Sequence, residues 1–147
     1  MEITLKNFEL VPAIELLQKM ELPANESRPV VKFTKLLNEA LQEVQESQMK
    51  LIEQYGQKND EGELVLTDDG TDYVIAPDES HIYEEQLRVF LDEDVVINGG
   101  AFVNVVAKLP DVLRNYDAKI SGRDAVIYDR LFDEFEKEEM VEDDAGK

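Results

Sequence analysis

The chain has 147 residues, 43% of them hydrophobic and 33% charged, and its 34 Asp and Glu against 15 Lys and Arg give a formal net charge of −19. One domain of this size buries roughly 68–70% of its unfolded surface, and the mixture is too apolar for a disordered chain and too charged for a membrane-spanning one. The acidity also disfavours direct binding of nucleic acid, because binding its backbone depends on neutralising phosphates with Lys and Arg.

The charge is lopsided, with a net of −3 over residues 1–60 and −16 over residues 61–147. No apolar stretch approaches the roughly 20 residues that cross a bilayer, and Met1 is followed by an acidic residue where a signal peptide would be basic. No membrane association is expected. There is no Cys, which removes disulfides, thiolate metal sites and cysteine nucleophiles and suits the cytosol.

The opening EITLKNFEL alternates Ile3 and Leu5 and predicts a short strand. Pro12 suits the first turn of a helix carrying Ile14, Leu17 and Met20, which Pro23 ends. Ser27 is a suitable N-cap for a long helix from about Arg28 to Tyr55, stopped by Gly56. Along it Val30, Phe33, Leu37, Ala40, Val44, Ser47 and Leu51 alternate in steps of three and four, widened by Leu36, Leu41 and Ile52. Such a helix of about 28 residues is roughly 42 Å long, longer than a compact domain of this size needs, which leaves its far end room to project or pair with a second copy. The seam is read as a core face, with a homodimer seam as the alternative.

From Gln57 the texture changes. Leu64–Leu66, a turn at Asp68-Asp69-Gly70, and Tyr73–Ile75 predict a β-hairpin ended by Pro77. Ser80 or Asp78 then caps a helix with Ile82, Leu87, Val89, Phe90 and Leu91, and Val95–Ile97 is a second strand. Residues 102–116 read as helical with a break at Pro110. The closing helix opens with Ser121 and Asp124 in capping-box spacing and places Val126, Ile127, Leu131 and Phe135 on one face. The expected organisation is one globular domain over residues 1–140 with a disordered acidic tail at 141–147. Its class is α+β, mainly helical, with a small antiparallel sheet.

Three motifs suggest chemistry. VVINGGAF (95–102) has the strand, glycine turn and helix start of a phosphate cradle, but lacks the spaced glycines and the basic residue, and Asp92, Glu93 and Asp94 would repel an anion. It reads as a corner capped by Asn98. Residues 57–68 match part of a calcium loop at Asn59, Glu61, Gly62 and Leu64, but carry Gln57 at the first place and Asp68 where a bidentate Glu belongs. The single His81 falls in an exposed first turn and cannot build a multi-His site. No catalytic residue, metal or cofactor is expected, and the protein is read as a non-enzyme.

Two charged surfaces remain. Arg28, Lys32 and Lys35 form a basic stripe at i, i+4 and i+7, for which the acidic last helix, with Asp129, Asp133, Glu134 and Glu136, is the simplest internal partner and an external phosphate or carboxylate the alternative. An acidic face is expected from Asp68, Asp69, Asp72, Asp92, Glu93, Asp94, Asp133 and Glu134, offering carboxylates to a protein partner with a basic surface.

The segments ITLKNFELVPAIELL, SRPVVKFTKLLNEALQEVQE, VVINGG and SGRDAVIYDRLFDEFE together resemble a small DUF1617-like family of unknown function from phages and prophages of Gram-positive bacteria. The resemblance covers most of the chain and brings no catalytic residues. It implies a phage product working in the bacterial cytoplasm or in a virion. The expected function is a phage accessory protein that binds a host macromolecule, as an acidic nucleic-acid mimic inhibiting a host defence enzyme in the anti-CRISPR manner. The alternative is a virion structural or assembly factor that self-associates through the long helix.

Overall fold

In the computed structural model the backbone is described for residues 2–145 and the side chains for residues 2–140. The elements are β1 (Glu2–Lys6), a 3-10 turn (Asn7–Glu9), α1 (Leu10–Lys19), α2 (Ala24–Tyr55), α3 (Ser80–Leu91), β2 (Asp94–Asn98), a second 3-10 turn (Gly100–Phe102), α4 (Val103–Val106), α5 (Leu109–Asn115) and α6 (Gly122–Ala145). This is the mainly helical α+β class with a small antiparallel sheet. Two compact units form, one from Met1–Leu41 with Asp94–Lys147 and one from Gln42–Glu93.

In the first unit β1 pairs with β2 antiparallel, Ile3 opposite Ile97 and Leu5 opposite Val95. The strand alternation sends Ile3, Leu5 and Ile97 into the core and leaves Val96 exposed. Beyond the strand the 3-10 turn buries Asn7 and exposes Phe8. Leu10, Ala13, Ile14, Leu16 and Leu17 of α1 are buried with Val30, Phe33 and Leu37 of α2. Phe33 meets Phe135 of α6 edge to face at 5.3 Å between ring centroids, an arrangement that adds about 0.5–1.5 kcal/mol beyond area burial.

Several boundaries differ from the sequence reading. The long helix begins at Ala24, because the Pro23 carbonyl accepts N–H bonds from both Glu26 and Ser27 and starts the ladder three residues early. Ser27 is therefore inside the first turn, its hydroxyl donating to the Ala24 carbonyl, and Pro29 lies inside the helix. At α3 the cap position falls on Glu79 and not on Ser80 or Asp78. Val126 is 72% exposed, because the buried face of α6 runs through Ile127, Leu131 and Phe135 in steps of four, and one residue earlier lies about 100° around the helix. Asp124 binds Lys19 at 3.1 Å. Backbone helix continues to Ala145, so residues 141–145 of the expected tail are helical, while Gly146 and Lys147 lie outside the described residues.

The second unit holds the end of α2, with Val44 and Ile52 buried, and Tyr55 set edge to face against Tyr83 of α3. The expected hairpin is present as short bridges, Leu66 with Tyr73 and Lys58 with Leu64. Gln57 joins it, accepting from Val65 N–H and donating to the Val74 carbonyl, while Val74 N–H bonds Val65. Three backbone segments thus satisfy one another locally. No residue of α3 is fully buried.

One half-buried guanidinium fastens the first unit. Arg130 of α6 donates to Glu9 at 3.1 Å, to Glu134 at 2.5 Å and to the Thr4 carbonyl at 3.0 Å. The other oxygen of Glu9 accepts Lys6 N–H at 2.8 Å and closes the first 3-10 turn, and Lys137 adds a second cation to Glu134 at 3.0 Å. Burial acts against the charges, but the two carboxylates hold the Arg130 pKa above its ordinary value, and Arg130 and Lys137 hold that of Glu134 below its own.

Two outcomes follow for stability. Because the Glu134 pKa is depressed in the fold, its contribution is fully present above the unfolded carboxyl value of about 4.3 and fades as the pH falls below it through the folded value. In urea titrations Glu134→Gln is expected to cost about 1.5–3 kcal/mol near neutral pH, with the gap to wild type narrowing on acidification. Gly99 faces a different constraint, since a Cβ there would stand 2.9 Å from the Val103 Cα. Gly99→Ala is expected to lower the urea midpoint by the equivalent of about 1–3 kcal/mol.

Candidate functional site

The VVINGGAF corner is where sequence and site meet. Asn98 Oδ1 accepts the Gly100 N–H at 3.0 Å, Gly99 lies tight against Val103, and Gly100 adopts φ +52°, which favours glycine. The turn leads into Phe102, the end of the 3-10 turn. Lys32 and Lys35 of α2 lie over the Phe102 ring, their Nζ atoms 4.9 and 5.5 Å from its centroid, within cation–π range.

This overturns the expected pairing of the basic stripe with α6. Among the described residues no ion pair joins Arg28, Lys32 or Lys35 to Asp129, Asp133, Glu134 or Glu136. Of these carboxylates Glu134 is already held by Arg130 and Lys137 of its own helix, and the corner delivers an aromatic face to the lysines. Beside the stripe a groove of about 500 Å³ opens between α1 and the start of α2. Leu17, Met20, Leu22, Val30 and Val31 form its apolar lining, with Thr34, Lys35 and Asn38 along one wall. Phe102 and this groove were not singled out in the sequence; the only signal was that Phe102 closes the glycine corner.

The expected acidic face divides between the units. Asp68, Asp69, Asp72, Asp92 and Glu93 belong to residues 42–93, and Asp94, Asp133 and Glu134 to the other unit. Glu134 is a correction to that set, since it is only 9% exposed and bound by two cations. Asp94 is exposed but paired with Lys6 at 2.8 Å. In the hairpin turn Asp69 Oδ1 accepts the Thr67 hydroxyl and the Thr71 N–H, and these bonds, Thr67 first, lower its pKa. The turn therefore keeps its negative charge in an ordered geometry.

The remaining motifs carry no assembled chemistry. Asn59 Oδ1 of the calcium-like segment accepts the Glu61 and Glu63 N–H groups, and the segment continues into the hairpin bridges. Among the described residues no three His, Asp or Glu converge to hold a metal ion, and no helix is long and apolar enough to cross a membrane. His81 is exposed in the first turn of α3.

Fold and surfaces define a mainly helical α+β protein with a strongly acidic unit and an apolar groove beside a basic stripe. The chain belongs to the family described as protein of unknown function (DUF1617), whose model matches residues 1–142. No curated protein and no solved structure matches it.

The lysine–phenylalanine contact has a direct reporter. Ring currents over the Phe102 face shift the ε-methylene protons of Lys32 and Lys35 upfield, and in Phe102→Leu both sets are expected to return to ordinary lysine positions in carbon–proton correlation spectra. Unchanged shifts would show that the lysines do not sit over the ring.

Proposed function

We propose that the protein acts by binding, not catalysis, presenting the carboxylates of residues 42–93 to the basic surface of a macromolecular partner. The observation that carries this reading is the segregation of charge. Within that one compact unit there are fifteen Asp and Glu against three Lys and Arg, and Glu85 with Arg88 is its one ion pair among the described residues. Carboxylates left without internal cations are free to be neutralised from outside, and a dense field of them steers a basic partner.

In this reading the protein is a phage accessory factor of the bacterial cytoplasm, and its partner is a host nucleic-acid-binding defence enzyme whose groove accepts carboxylates where phosphates would lie. Self-association through the long helix as a virion component is less well supported, because Val30, Phe33 and Leu37 of that seam are buried within the protein's own first unit.

The test uses the nucleic-acid-binding fraction of a bacterial lysate, eluted from heparin and passed over immobilised protein. Retained proteins are expected to be displaced by salt and by duplex DNA. Combined Asp68→Asn, Asp69→Asn and Asp72→Asn is expected to weaken retention about tenfold, equivalent to about 1.4 kcal/mol. Retention indifferent to salt, DNA and these substitutions would refute the mimicry.

A further inference from the structure

The groove between α1 and α2 has a linear order that the acidic unit lacks. Along α2 its lining recurs at Ser27, Val30 and Val31, Thr34 and Lys35, and Asn38, a row of three turns and roughly 16 Å. Parallel to it runs the row Arg28, Lys32 and Lys35. The groove volume of about 500 Å³ falls within the range of ligand sites. Its rim residue Val31 is 62% exposed, while Leu17 and Val30 form its buried floor.

The charge beside it is anomalous for this chain. Residues 18–38 carry four cations against two carboxylates in a protein of net charge −19. Lys19 is neutralised by Asp124, whereas Arg28, Lys32 and Lys35 have no ion pair among the described residues. The ammonium groups of Lys32 and Lys35 lie over one ring, and among the described residues no carboxylate pairs with either. A ligand carboxylate placed there would supply the missing counter-charge.

The backbone chemistry of the wall selects the ligand's form. Thr34 donates to the Val30 carbonyl at 2.8 Å and Asn38 to the Thr34 carbonyl at 3.1 Å. Both polar side chains are turned back on their own helix, and the wall, being helical, has no strand edge to extend. Side-chain packing suits such a wall, as when an amphipathic helix lays apolar anchors at i, i+3 or i+4, and i+7 into a groove.

We propose that this groove docks an acidic amphipathic helix of a partner protein, its apolar anchors against Leu17, Met20, Val30 and Val31 and its carboxylates facing Arg28, Lys32 and Lys35. The site lies wholly in the unit of residues 1–41 and 94–147 and is independent of the acidic surface.

A random dodecapeptide display library panned against the intact protein tests it. The expected consensus has apolar residues at helical spacing with Asp or Glu on the flanking positions, and the synthetic consensus peptide binds with affinity that falls as salt rises. Val31→Glu and Lys35→Glu, both at exposed positions, are each expected to weaken that peptide at least tenfold with the protein still folded by circular dichroism. Asn substitutions at Asp68, Asp69 and Asp72 should leave it unaffected. A basic or charge-indifferent consensus, binding that survives both groove substitutions, or no enrichment would overturn the proposal. So would sedimentation showing a dimer that Val31→Glu disperses, which would give the groove to a second copy of the chain.

Discussion

A single half-buried guanidinium ties the last helix of the first unit to its first strand, placed where two carboxylates and a carbonyl need it. Arg130 reaches from the last helix to the end of the first strand and the turn that follows, binding Glu9, Glu134 and the Thr4 carbonyl. A planar, always-charged fork suits this task, since it satisfies separate acceptors without changing protonation state. Removing one member would leave the others charged and partly desolvated, which costs more than the net contribution of the intact cluster. The cluster fixes where β1 sits, and with it the inward faces of Ile3 and Leu5 and the register of β2.

The same constraint sets up the groove side of the molecule. Once β2 is in register, its end at Asn98 fixes the glycine corner, and that corner carries Phe102 to Lys32 and Lys35. Two carboxylates of α6 are engaged elsewhere, Glu134 by Arg130 and Glu139 by Arg114. A chain rich in acid thus keeps three cations without an ion pair among the described residues beside an apolar groove, while residues 42–93 carry fifteen of its carboxylates. The two surfaces have opposite chemistry.

Much of the fold was legible from spacing. Ile3 and Leu5 alternate and form a strand, Val30, Phe33 and Leu37 recur at helical steps and are buried, and Asp68-Asp69-Gly70 forms the turn of a hairpin. Errors gathered at helix starts, where Ser27 and Ser80 looked like caps, because a cap is decided by which carbonyl begins the ladder and a preceding Pro23 or Glu79 can supply it. Val126 was misplaced for a related reason. Adjacent apolar residues on a helix are separated by about 100°, and only the packing partner decides which of them faces inward.

The acidic balance, the lack of cysteine and the stripe of Arg28, Lys32 and Lys35 were fixed by the amino-acid sequence alone, because composition and helical periodicity are local properties. Pairing across the chain was decided only by the tertiary structure. Arg130 lies 121 residues from Glu9, and nothing in either neighbourhood marks the other as its partner. The division into two units, the burial of Glu134 and the meeting of Phe102 with the lysines likewise arise from long-range packing. Electrostatic partners are selected by distance in space, and that distance exists only once the chain has folded.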